Sequence, residues 1–111
     1  MAMRLISLPD LERREQDEDG FVTDSVNYVQ NIRANTRSAT AEEETIAAAD
    51  GFTISKIYMI VGRNYRGQSY LVDQATGDYY DIRRTSESGR MINLFTEARK
   101  NGKIRDAARD G

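Results

Sequence analysis

Three clusters along the chain have residue types that can do chemistry. Glu42-Glu43-Glu44 sets three carboxylates side by side, the raw material of acid–base work. Consecutive residues on a helix point about 100° apart, so the three do not converge on one substrate; helix capping and a solvated face account for them. Gly62-Arg63-Asn64-Tyr65-Arg66-Gly67-Gln68-Ser69 has the spacing of a phosphate-binding loop, with Gln68 where the phosphate-reaching Lys belongs. It follows an apolar strand, but Ser69-Tyr70-Leu71-Val72 reads as a second strand and not as the helix whose N-terminus would hold an anion, so the spacing predicts a β-turn. Glu15 to Gly20 has an EF-hand flavour, with Glu15, Asp17 and Asp19 at ligand positions when Gly20 takes the sharp turn. The obligatory bidentate Glu then falls at Val26, and an acidic hairpin turn is the reading that remains.

Composition narrows the function further. The chain has 111 residues, enough for one small domain, and contains no Cys and no His. Disulfides, thiolate zinc sites, a Cys nucleophile and His-based acid–base pairs are therefore excluded. With neither a nucleophile–base pair nor a ligand set in view, the expectation is a protein that is not an enzyme and takes no metal or cofactor. Hydrophobic residues make up 39% against 31% charged, a thin core whose stability is expected to come partly from neighbours in an assembly. No apolar run approaches the roughly 20 residues of a transmembrane helix, and MAMRLISLPDLERR is too short and too charged for a signal peptide. A soluble protein made in the cytoplasm is expected.

The formal charge of −2 hides an asymmetry. Asp10, Glu12, Glu15, Asp17, Glu18, Asp19 and Asp24 face only Arg13 and Arg14 in one stretch, whereas Arg99, Lys100, Lys103, Arg105 and Arg109 outnumber Asp106 and Asp110 near the end. A basic tail over residues 98–111 reads either as a contact for an acidic partner or as a solvated, flexible terminus.

The elements that must position these residues are mostly strands. Residues 1–10 read as an irregular arm broken at Pro9, and residues 11–97 as a β-barrel domain with a helical excursion at about 38–51. Leu11 to Gln16 reads as a first edge strand and Asp17-Glu18-Asp19-Gly20 as a turn. From Val26 to Arg37 the chain is extended, with Val26, Tyr28, Gln30, Ile32 and Ala34 on one face. Thr40 with Glu43 has capping-box spacing, Glu42 to Glu44 load the first turn with the charge the helix dipole favours, and Gly51 takes the C-terminal cap. Thr53 to Val61 is the most apolar run and the expected central strand. Gln68 to Asp73 and Tyr79 to Arg84 form a hairpin around Gln74-Ala75-Thr76-Gly77-Asp78, and Arg90 to Glu97 is the last strand, with Ile92 and Leu94 inward. The expected fold is mostly β: a small antiparallel β-barrel or sandwich with a strand–short helix–strand excursion.

Ile32-Arg33-Ala34-Asn35 with Arg37-Ser38, an acidic residue at Glu43 or Glu44, the Ala-rich stretch to Gly51-Phe52, the strand Ile57 to Val61, Asn64-Tyr65, Tyr80-Asp81-Ile82-Arg83-Arg84-Thr85 and Ile92-Asn93-Leu94 come in a particular order. In that order, over about two-thirds of the chain, the sequence resembles the head–tail joining (head-closure or stopper) proteins of tailed bacteriophages. The resemblance implies a virion structural protein at the head–tail interface, made in the host bacterial cytoplasm. It would form a ring of copies, expected to be dodecameric, between the portal with its adaptor and the tail proteins, with packaged double-stranded DNA in the lumen and no membrane partner. It also implies that Arg37, Ser38, Thr40, Glu42, Glu43 and Glu44 belong to an excursion that lines or gates the channel, and that Tyr65, Arg83 and Arg84 contact a neighbouring subunit or partner. The alternatives are another connector component, an adaptor or tail-completion protein, or a free-standing nucleic-acid-binding β-barrel stacking bases on Tyr58, Tyr65, Tyr70, Tyr79 and Tyr80.

Overall fold

In the computed structural model the described residues are 2–10 and 27–99. Six strands, β1 (Ala2–Pro9), β2 (Tyr28–Arg37), β3 (Lys56–Val61), β4 (Tyr70–Asp73), β5 (Asp78–Ser88) and β6 (Met91–Ala98), close into an antiparallel barrel in the order β1-β2-β3-β6-β5-β4. One helix, α1 (Ala41–Ala49), interrupts the run between β2 and β3, and a 3-10 turn at Gly62–Asn64 comes after β3. Closure removes the free sheet edges that a flat six-strand sheet would expose to aggregation.

The barrel interior follows period-two alternation. Ile6 and Leu8 from β1, Ile32 and Ala34 from β2, Tyr58 and Ile60 from β3, Leu71 from β4, Tyr80 from β5, and Ile92 and Leu94 from β6 form one continuous cluster. Each large apolar side chain in it contributes roughly 1.5–3 kcal/mol relative to exposure. At one end the chain turns tightly at Gly62, whose N–H donates to the Arg90 carbonyl at 2.7 Å. A Cβ there would stand 3.2 Å from that oxygen, so any other residue would need the Arg90 backbone to draw back slightly.

Residues 1–10 differ from expectation. Ala2–Pro9 is a strand, not an irregular arm, paired with β2 along its length and with β4 at Ile6↔Asp73 and Ser7↔Val72. Pro9 does not break this strand, because at its last position the missing N–H costs no ladder bond. The barrel therefore begins at Ala2 and runs through Ala98, beyond the 11–97 expected. The edge strand at Leu11 to Gln16, the turn at Asp17 to Gly20, Val26 and the tail beyond Arg99 lie outside the described residues.

On β2 the expected common face is broken. Ile32, Ala34 and Thr36 point inward, but Gln30 is exposed and Asn31 adopts φ +62°. Between the pairs Ile6↔Ile32 and Leu8↔Val29, three residue steps on β2 span two on β1: a bulge, which reverses the alternation. Gln74 holds this bulge, its Oε1 accepting from the Asn31 N–H at 2.6 Å and the Ser7 hydroxyl at 3.1 Å.

Candidate functional site: the helical excursion on the barrel wall

The segment from Arg37 to Phe52 is built as its own small unit. At its start Thr40 has extended backbone; its hydroxyl accepts from the Glu43 N–H at 3.2 Å, and its own N–H donates to Glu43 Oε1 at 2.9 Å, a complete capping box. At its end Gly51, at φ +87°, donates to the Ala48 carbonyl while the Phe52 N–H donates to that of Ala47. This pair of bonds is a Schellman closure, and the Phe52–Ala47 contact that usually accompanies it is present.

The helix lies on the outside of the barrel. Ile57 of β3 and Phe95 of β6 are opposite each other in register and both face outward. Ala47, Phe52 and Ile54 cover them, giving a five-residue cluster separate from the barrel core. A nine-residue helix is not stable alone in water, so this cluster is what holds α1.

An ion pair closes the neck of the excursion. Arg37 donates from Nη1 to Glu43 Oε1 and from Nη2 to Oε2, each at 2.8 Å, and also from Nη1 to the Ser38 carbonyl at 3.2 Å. The Arg37 guanidinium, against the opposing effect of burial and with help from the Thr40 N–H, holds the Glu43 carboxyl down to about 2. The folded-state value is depressed, so the clasp's contribution is fully present above the unfolded carboxyl's ordinary 4.5 and is lost as pH falls towards 2. Glu43→Gln should loosen α1 by about 1–2 kcal/mol at pH 7, within the range for charged hydrogen bonds on a partly solvated pair. Hydrogen exchange over residues 41–49 tests this: the gap between wild type and Glu43→Gln should narrow below pH 4, and a pH-independent gap would show that the carboxylate charge is irrelevant.

Of the expected channel residues, Arg37, Ser38, Thr40 and Glu43 therefore meet in one clasp. Glu42 and Glu44 are exposed and have no ion pair among the described residues. At about 100° per residue they stand roughly 200° apart, on opposite flanks of the helix. Among the described residues, the carboxylate triplet is thus one clasped Glu and two exposed ones.

Arg83 and Arg84, expected at a partner contact, fasten the excursion to the wall. Arg83 pairs with Glu97 at 2.7 Å and stands over the Phe52 ring at 5.4 Å, while Glu97 accepts from the Thr53 N–H at 3.3 Å. Arg84 lies 4.0 Å from Asp50. A bulge between Ile82 and Arg84 lets two successive arginines face outward. Tyr65 is half-buried against the barrel core and donates to the Gln68 carbonyl at 2.9 Å; burial pushes its phenol up.

The phosphate-loop spacing has a structural explanation. Gln68 is buried, donating to the Pro9 carbonyl at 3.0 Å and accepting from the Arg66 N–H at 2.7 Å, and strand β4 comes next. The EF-hand-like stretch lies outside the described residues, and no metal-binding cluster occurs among the described ones. No described helix is long and apolar enough to cross a membrane.

Two clusters escaped the sequence reading. Asp73 is fully buried; it accepts from the Tyr58 hydroxyl at 2.8 Å and the Ala75 N–H at 3.0 Å, with Arg4 at 3.5 Å. Burial, then the bond to Asp73, pushes the Tyr58 phenol well above its ordinary range. On the outer wall Tyr28 and Tyr70 share a 2.9 Å hydroxyl contact, Tyr70 stacks on Tyr79, and Arg99 lies over both rings while pairing with Asp81. Of the tyrosines proposed as stacking platforms, Tyr58 and Tyr80 sit in the core, leaving Tyr70 and Tyr79 outside. No protein-family model matches the chain, and neither a curated protein nor a solved structure matches it.

Proposed function

We propose that this chain is a non-catalytic connector protein of a tailed phage, a head-closure ring subunit that helps retain packaged DNA and docks the tail. The observation that carries the reading is the excursion between β2 and β3, a capped helix with its own five-residue core on the wall of a closed barrel. It agrees with the strand–short helix–strand excursion expected from the sequence, the segment that the resemblance to the head–tail joining family assigns to the channel. Such a unit can leave the wall without opening the barrel, which a channel-closing element requires. In a ring, a free carboxylate facing the lumen is repeated in every copy, and the collar so formed repels the phosphates of DNA sliding through.

Glu43 is held in the clasp with Arg37, so the collar falls to Glu42 or Glu44. Particles assembled without the protein are expected to package DNA, then lose it and fail to accept tails. Glu42→Lys and Glu44→Lys, introduced separately, test the two flanks. The variant facing the channel should slow DNA ejection at low salt and regain normal ejection at high salt, because a lysine collar grips phosphate through counterion release. Ejection unchanged by either variant at both salts would remove α1 from the channel. Full DNA retention without the protein would end the head-closure reading.

A further inference from the structure

Among the described residues the exposed large apolar side chains fall in two places. Met3, Leu5 and Val29 are on the β1–β2 ladder, at 59%, 41% and 45% exposure, and Ile46 is on α1 at 39%. Leu5 stands opposite Arg33 in the ladder, with Met3 two pairs further along on the same face, so the first patch is apolar with a cation beside it. Arg33 is exposed and has no ion pair among the described residues. Ile46 has Glu42 one helical turn before it on the same flank, so the second patch is apolar with an anion beside it. Ile46 also lines a cleft of about 210 Å³ between α1 and the wall, whose floor is partly apolar (Ala47, Phe52, Ile54, Phe95) and partly polar (Glu43, Arg84, Ser86).

The two patches lie on different faces of the barrel wall, one on the β1–β2 ladder and the other where α1 covers β3 and β6. In the strand order β1-β2-β3-β6-β5-β4, Leu5 and Met3 are on β1 and Arg33 on β2, whereas α1 covers Ile57 of β3 and Phe95 of β6. Complementary surfaces on separate faces of one subunit do not meet within that subunit. They do so head to tail between copies, the heterologous contact that generates rings when its rotation closes.

We propose that the occupant of the α1 cleft is a second copy of this chain, which presents the outer face of its β1–β2 ladder with Leu5 and Met3 against Ile46 and Arg33 against Glu42. This deepens the ring reading above by naming its two faces. It also assigns Glu42 to the joint between neighbours and leaves Glu44, on the other flank, as the carboxylate for the channel. Buried apolar anchors provide the affinity, and the flanking charge pair fixes the register and rejects a like-with-like pairing of the same patches.

The chain has no Cys, so a pair of introduced thiols reports on this contact alone. The free protein carrying both Leu5→Cys and Ile46→Cys, oxidised at high concentration, should give a covalent ladder extending past the dimer, because each copy has one thiol on each face. An equimolar mixture of the two single variants should stop at a dimer, and each single variant alone should remain largely monomeric. Adding Arg33→Glu to the double-Cys protein should cut ladder formation by about tenfold, and adding Glu42→Arg to that variant should restore it. The proposal is overturned if the double variant gives nothing beyond a dimer, if a single variant cross-links alone as well as the mixture does, or if Arg33→Glu leaves the ladder unchanged. The assay uses no particles, so its failure is separate from a failure of the DNA-retention test.

Discussion

Phe95→Ala should release the helical excursion while the barrel stays closed. Phe95 is 8% exposed and stands at the centre of the outer-wall cluster, opposite Ile57 on β3 and Arg84 on β5. Truncating a packed Phe to Ala costs about 3–5 kcal/mol, and here little can collapse into the gap because the strands beneath are fixed by the ladder. The loss falls on α1, whose nine residues find their apolar support, among the described residues, in Ala47 and its partners in that cluster. The neighbouring Leu94 and Thr96 point into the barrel and keep their contacts. Amide exchange over residues 41–54 should therefore accelerate by about a hundredfold or more, while amides in β3 and β6 change little. Equal acceleration throughout the barrel would mean that the excursion and barrel form one cooperative unit, and hinged movement of α1 would then be untenable.

Asp73→Ala should act on the whole barrel. It leaves the buried Tyr58 hydroxyl and the Ala75 N–H without their acceptor and takes the anion from Arg4. Orphaning a buried donor costs about 1–3 kcal/mol, so a loss of about 3 kcal/mol is expected in urea unfolding, with the midpoint falling and the slope unchanged. Asp73→Asn keeps an acceptor oxygen for Tyr58 and should recover about half. Equal losses for Ala and Asn would show that the negative charge, not the hydrogen bonds, holds this end of the barrel.

The helix was fully legible in the sequence because its signals are local. Thr40, Glu43 and Gly51 specify both ends within a dozen residues, and the capping box and left-handed cap form as their spacing dictates. The strand pattern from β3 to β6 was legible for the same reason. β1 was not, because Pro9 looked like a break and the pairing that makes Ala2–Pro9 a strand comes from residues 19 to 34 positions away. The bulge at Asn31 depends on Gln74, 43 residues further on, and left no local mark. At the candidate site, the roles of Arg37 and Glu43 could be read only in part. The capping partner of Glu43 is three residues away and visible; its ion pair with Arg37 requires the chain to turn between strand and helix. Asp73 reads in the sequence as the last residue of a hairpin strand, and it does bond the turn that follows, accepting from the Ala75 N–H. Its second role, as acceptor for Tyr58, depends on barrel closure.

The seam between β1 and β4 is the narrowest in the barrel, two residue pairs wide. Its Ser7–Gln74 hydrogen bond joins positions 67 residues apart. The β4–β5 and β5–β6 pairings, by contrast, are hairpins between neighbours in the chain. Loop-closure entropy therefore ranks the steps of folding: the hairpins are cheap and early, and the β1–β4 seam comes late. During synthesis β1 leaves the ribosome before the other strands, yet its partner in that seam is made only after β2, the helical excursion and β3 have emerged. Until then Ile6 and Leu8 have β2 on one side and water on the other, so the interval before closure is when this small barrel is most exposed to pairing with the wrong chain.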